Sequence, residues 1–206
     1  MRIGIDFDNT LVSYDTLFHR VALEQELIPA DLPQTKVAVR DYLRSVGREP
    51  AWTEMQGTVY GARMDEAQAY PGAIDFLRWA GKQRIELCII SHKTRHPFIG
   101  PRHDLHKAAR LWVEHHLADV PRPLVYPENV FFELTKEAKL RRIADCGCGY
   151  YIDDLPEILL APAFPGGVQR ILFDPDSHHA ARPPVLHVRG WEELRDYFAR
   201  ECLSTP

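Results

Sequence analysis

Cysteine is scarce in this chain, long apolar runs are missing, and neither sign of charge dominates. Four cysteines (Cys88, Cys146, Cys148, Cys202) in 206 residues are too few for a disulfide scaffold. A chain of this length buries a full core without such staples. No apolar run nears the roughly 20 residues a bilayer span needs. A net charge of −4 supplies no field for a nucleic acid polymer or an acidic membrane face. Internal repeats and low-complexity segments are absent. With 45% apolar and 26% charged residues, bulk disorder is excluded as well. The opening Met1-Arg2-Ile3-Gly4-Ile5-Asp6 has no leader-type apolar stretch, and a second acid follows at Asp8, so the expected compartment is the cytoplasm. One globular domain, or one domain carrying a modest insert, fits these limits.

What is present is a set of short apolar runs, each ending in polar or acidic residues: Ile3–Phe7, Leu87–Ile90, Val130–Leu134, Tyr150–Ile152 and Val168–Phe173, with a shorter piece at Val185–Val188. Runs rich in Ile, Val and Phe without alternation predict strands buried on both faces, as in parallel sheets. Helical spacing separates them, in Ile74–Ala80, Leu105–Leu117, Leu140–Ala144 and Trp191–Arg200. Strand and helix in alternation predict an α/β fold. From about Tyr14 to Tyr70 the alternation breaks. Only helical patterns occur there (Thr16–Leu27, Thr35–Val46), punctuated by Pro29, Pro33, Gly47, Pro50 and Gly57. The expected organisation is an α/β core of residues 1–13 and 71–206, with a helical cap over 14–70.

Chemistry concentrates at the strand ends. Ile3-Gly4-Ile5-Asp6-Phe7-Asp8-Asn9-Thr10 delivers two carboxylates, one residue apart, where open α/β sheets bind ligands. Alternation would turn Asp6 and Asp8 to one side and Phe7 to the other. Two acids that close repel each other unless a cation or a shared proton intervenes. Ser91 ends the next strand and His92-Lys93 follow; a hydroxyl with nearby backbone N–H groups can hold a phosphate oxygen. Tyr150-Tyr151-Ile152-Asp153-Asp154 presents two more acids, so a shared divalent-cation site is expected. Upstream, Thr135 is placed to cap a helix whose first turns carry Lys136 and Lys139, and either ammonium can serve the site.

Asp6-x-Asp8-x-Thr10, then Ser91, then a lysine, then Asp153-Asp154, each at a strand end and in this order, resemble the four motifs of the haloacid dehalogenase-like (HAD) phosphohydrolase superfamily. The helical insert between the first two motifs resembles that family's C1-type cap. The resemblance implies a Rossmann-like core and a phosphatase. Asp6 would be the nucleophile and Asp8 the acid/base, while Ser91 and Lys136 or Lys139 would hold the phosphoryl oxygens. Mg²⁺ would be bound by Asp6, Asp154 and the Asp8 backbone carbonyl, with Asp153 beside or among the ligands. Dehalogenases lack the acid/base aspartate, so Asp8 implies phosphoryl transfer. The expected partner is a small phosphorylated metabolite. A phosphomutase and a non-catalytic phospholigand-binding protein are the alternatives. Asn9, Thr10, His92 and Lys93 are candidate substrate contacts, and within the insert so are Arg40, Arg44 and Arg63. Cys146-Gly147-Cys148 lacks a second pair or a histidine at zinc-finger spacing, and predicts ordinary thiols near a turn.

Overall fold

The computed structural model describes residues 1–119, 121–180 and 182–204. In chain order its elements are β1 (Arg2–Ile5), β2 (Val12–Ser13), α1 (Asp15–Glu24), α2 (Lys36–Ser45), α3 (Glu49–Gly57), β3 (Gln68–Ala69), α4 (Ala73–Lys82) and β4 (Glu86–His92). They continue with α5 (Leu105–His116), β5 (Val130–Glu133), α6 (Lys136–Asp145), β6 (Tyr150–Asp153), α7 (Pro156–Leu159), β7 (Gln169–Phe173), β8 (Leu186–Val188) and α8 (Trp191–Ser204). All five apolar runs have become strands, the short piece at 185–188 supplies a sixth, and together they form one parallel sheet in the order β5-β4-β1-β6-β7-β8. β2 and β3 form a separate two-stranded sheet.

Helices cover both faces of the large sheet, which is why its strands read as continuous apolar runs. On one face, Leu140 and Ile143 of α6 and Ile158 and Leu159 of α7 pack with Cys88, Ile90, Tyr151 and Leu172. On the other, Phe76 of α4 meets Trp191 and Phe198 of α8, and Phe173 meets Trp191. Burying a large aromatic of this kind contributes roughly 1.5–3 kcal/mol before entropy is counted. Chain order makes β1 the switch point: the chain leaves it for β4 on one side and returns to β6 on the other. The crevice beyond its carboxyl end is where such sheets place ligands.

The chain divides into two compact units. One comprises Met1–Leu11, Ala69–His92 and Leu117–Pro206 and holds the large sheet with α4, α6, α7 and α8; the other comprises Val12–Gln68 and Lys93–His116 and holds α1, α2, α3 and α5. The second unit therefore takes in α5, a helix that the sequence pattern placed with the sheet. Its core is aromatic: Phe18 lies 4.8 Å from Trp52, and Tyr14 meets Tyr60 edge-on at 4.9 Å. Trp112 of α5 belongs to the same unit and donates from Nε1 to the Ala67 carbonyl at 2.9 Å. Thr35 and Thr135 each cap their helix by accepting from the N–H three residues on, at 3.1 Å. Among the described residues no helix is long and apolar enough to cross a membrane.

Candidate active site

β1 ends at Ile5, one residue short of the first acid. Asp6 is still held in the sheet, its N–H donating to the Ile152 carbonyl at 2.8 Å. Beyond it the chain turns, with the Leu11 N–H on the Phe7 carbonyl and Asn9 at φ 58°. Asparagine tolerates that left-handed conformation better than most side chains. Strand alternation therefore governs Asp6 and not Asp8, which belongs to the turn. Phe7 anchors the turn from beneath, fully buried and edge-on to Phe132 at 5.3 Å.

The register explains which groups meet. Ile5 pairs with Ile89 of β4 and Ile152 of β6, so Asp6 is level with Asp153. Lys139 comes from α6, where Leu140 and Ile143 are buried against the sheet. Its Nζ lies 2.6 Å from Asp6 Oδ1 and 2.6 Å from Asp153 Oδ2, and 5.6 Å from the centre of the Tyr151 ring. Lys139 is 2% exposed. Lys136, the other lysine expected to serve the site, is instead an exposed residue paired with Glu157 at 3.3 Å. As the first residue of α6 it lies about one turn before Lys139, at the exposed end of the helix.

Asp153 works in two directions: Oδ1 accepts from the Leu155 N–H at 2.9 Å, fixing the turn, while Oδ2 faces the ammonium. One oxygen from each of Asp6, Asp153 and Asp154 falls within 4.8 Å of the others. An all-carboxylate donor set of this size suits a hard divalent cation such as Mg²⁺. Asp153 thus stands among the candidate ligands on the same footing as Asp154. Thr10, expected as a substrate contact, is fully buried and its hydroxyl donates to Asp154 Oδ1 at 3.4 Å, which ties the first acidic turn to the last. Trp191 Nε1 donates to the Thr10 carbonyl at 3.3 Å from behind. Ser91 is buried in β4 opposite Phe132 of β5.

Burial raises the Asp6 carboxyl to about 7 against the pull of Lys139, with Asp153 and Asp8 adding to the rise. Burial also opposes charge on Lys139, yet Asp153 and Asp6 outweigh it and hold the ammonium above the ordinary lysine range. Lys139 is therefore charged at neutral pH. His92, half-buried at the end of β4, is held below the ordinary histidine value by burial. It is therefore neutral at pH 7.

The remaining candidates lie in the second unit. Lys93 is buried, with Nζ 4.8 Å from the centre of the Tyr60 ring. Arg40 pairs with Asp41 at 2.8 Å, Arg44 with both oxygens of Glu49, and Arg63 with Glu24 and Glu66. Each arginine expected to receive substrate is already engaged by a carboxylate of its own unit. Sequence reading missed Tyr151 under the ammonium and Trp191 behind Thr10. Tyr151 stands two residues before Asp153 on the same strand, and a period of two was the available signal.

Neither a family model nor a curated relative matches the sequence. Solved structures do. A HAD family hydrolase from Deinococcus radiodurans with bound phosphate and sodium superposes with TM-score 0.52 and 18% identity, over 100% of this chain and 97% of that one. A HAD hydrolase from Bacillus subtilis bound to magnesium gives 0.52 and 16%, over 95% and 97%. The fold is HAD-like. An archaeal β-phosphoglucomutase from Pyrococcus shares this HAD-like architecture, with TM-score 0.55 and 13% identity over 100% of this chain and 99% of that one. The HAD-like core explains why the four acidic and basic segments, far apart in sequence, end at one place. It is a Rossmann-like sheet with β1 at its switch point.

Proposed function

We propose that this chain is a Mg²⁺-dependent phosphatase that hydrolyses a small phosphomonoester, such as a phosphosugar or nucleotide, through an aspartyl-phosphate. The observation that carries this reading is the buried Asp6 carboxylate, 2.6 Å from the Lys139 ammonium and within 4.8 Å of two further carboxylates. Asp6 supplies the oxygen that attacks phosphorus. Lys139 holds Asp6 in place and offers its charge to the phosphoryl oxygens, and the Ser91 hydroxyl, near the end of β4, is the second group proposed to bind them. Asp8, on the turn, protonates the leaving oxygen and then takes a proton from the attacking water. Thr10 ties the two acidic turns together through its bond to Asp154, and Asp153 fixes the last of them through the bond from the Leu155 N–H. Mg²⁺ held by Asp6, Asp154 and the Asp8 carbonyl, with Asp153 among the donors, would neutralise charge so that one anion can approach another. In this reading the helical unit is the family's C1-type cap.

The Pyrococcus mutase, similar over its whole length, supports a second reading in which the same residues return the phosphoryl group to the substrate. Phosphate release from an aryl phosphate, measured with and without Mg²⁺, tests the first. Mg²⁺-dependent release is expected. Isomerisation of a phosphosugar without release supports the mutase, and binding of phosphorylated metabolites with neither reaction overturns both.

A further inference from the structure

Three of the four cysteines take no part in this site, and the fold brings them together. Cys88 lies within β4, Cys146 closes α6, and Cys148 stands two residues before β6; all are free, buried and members of one core cluster. Gly4 explains how sulfur reaches this place. In the sheet it pairs with Cys88 on one side and Tyr151 on the other, and paired residues of parallel strands point to the same face. A Cβ built on Gly4 would lie 2.7 Å from Tyr151 Cδ2 and 3.0 Å from Cys148 Sγ. The space of the missing side chain is thus taken by the tyrosine ring and the Cys148 sulfur. Cys88 stands on that same face, one strand spacing of about 4.8 Å from the place the Cys148 sulfur fills.

We propose that Cys88 and Cys148 form a redox-active dithiol that a small hydroperoxide closes to a disulfide. Charge supports the division of labour. Hydrogen bonding from the neighbouring Cys148 thiol draws the Cys88 thiol down to about 7 despite burial, with the Arg2 cation and Cys146 assisting. Arg2 is held at this corner by Glu86 and by the Cys146 carbonyl, which accepts from Nη1 at 2.5 Å. The same bond pushes Cys148 up, so it remains a thiol. The thiolate is the nucleophile in such chemistry. Cys88 sulfur attacks the peroxide O–O bond, forming S–O and releasing the alcohol or water, which takes up a proton. Cys148 sulfur then attacks the sulfenic sulfur. The S–S bond forms, the S–O bond breaks, and hydroxide leaves as water with the Cys148 proton. Two electrons pass from the sulfur pair to the peroxide. At 1% and 5% exposure the pair admits only a small oxidant, and the step does not depend on the phosphatase reading.

The test treats the native protein with hydrogen peroxide, blocks remaining thiols with iodoacetamide in denaturant, and maps the peptides by mass spectrometry. A linked Cys88–Cys148 peptide lacking two hydrogens and restored by dithiothreitol is expected. Cys88→Ser and Cys148→Ala, each checked for folding by circular dichroism, should abolish it, while Cys146→Ser should leave its yield within about twofold. Recovery of both cysteines in alkylated form, linkage through Cys146 or Cys202, or an equal yield from the unfolded chain overturns the proposal.

Discussion

Lys139→Met is the sharpest test of how the acidic cluster is held together. Methionine keeps most of the volume of the side chain and removes its charge. Lysine at this position is 2% exposed and lies 2.6 Å from both Asp6 and Asp153. Its loss leaves buried carboxylates with no ammonium between them. Breaking a buried pair by removing one partner costs about 3–5 kcal/mol. For a chain of this size that corresponds to a fall of about 6–20 °C in the thermal midpoint. The effect has a defined pH dependence. Asp6 is raised to about 7 in the folded protein, against about 3.9 in an unfolded chain, so the native state binds the extra proton and loses stability as pH rises between these values. Without Lys139 the carboxyl rises further, and the loss continues above 7. The gap between wild type and variant should therefore widen as pH climbs, and go on widening past about 7. Thermal melts across this range, in chelator so that no stray cation fills the cluster, measure both features. Asp6→Asn placed in the variant should recover part of the loss, since the two residues are coupled. A variant as stable as wild type, or a gap that widens toward acid, refutes the reasoning.

Three further outcomes are expected. Asp6→Asn keeps the shape but not the nucleophile, so turnover should vanish while circular dichroism is unchanged; retention of more than a few per cent of the rate would exclude Asp6 as nucleophile. Asp154→Ala should weaken Mg²⁺ binding in calorimetric titration, whereas Asp8→Asn should leave it largely intact because the backbone carbonyl is the expected donor there; equal losses mean the roles are wrongly divided. Gly4→Ala drives a Cβ to within 2.7 Å of Tyr151 and 3.0 Å of Cys148, and overpacking of this kind should cost about 1–3 kcal/mol in urea unfolding.

The strands were legible because a sheet covered on both faces writes itself as apolar runs, and Ile3, Leu87, Val130, Tyr150 and Ile171 all lie where those runs placed them. The acids were legible because each ends such a run. The choice between Lys136 and Lys139 was not. Both lie on the face of α6 that carries the apolar stripe, and the choice depends on which turn of the helix reaches the acids. Thr10 is a similar case, since a hydroxyl after two acids reads as a ligand contact until the fold brings Asp154 within 3.4 Å. The three arginines read as a basic face although Asp41 for Arg40, Glu49 for Arg44 and Glu66 for Arg63 are close in sequence; only Glu24, the other partner of Arg63, waits on packing. Pairing of Cys88 with Cys148 likewise joins residues 60 apart in sequence, beyond the reach of any local pattern.

The place of β1 in the sheet order bears on how the chain is made. Of the six strands of this sheet it is made before the others, yet its neighbours are β4 and β6, so it must wait for residues 86–92 and then 150–153. Until then both of its edges are open and its acidic turn has no ammonium beside it. Pairings of such long sequence separation form slowly and leave partly folded chains prone to association. The compact helical stretch of residues 12–68 is synthesised during that interval. A nascent chain stalled before Tyr150 would carry Asp6 and Lys139 with no Asp153 to complete the pair, leaving an open strand edge for another chain to occupy.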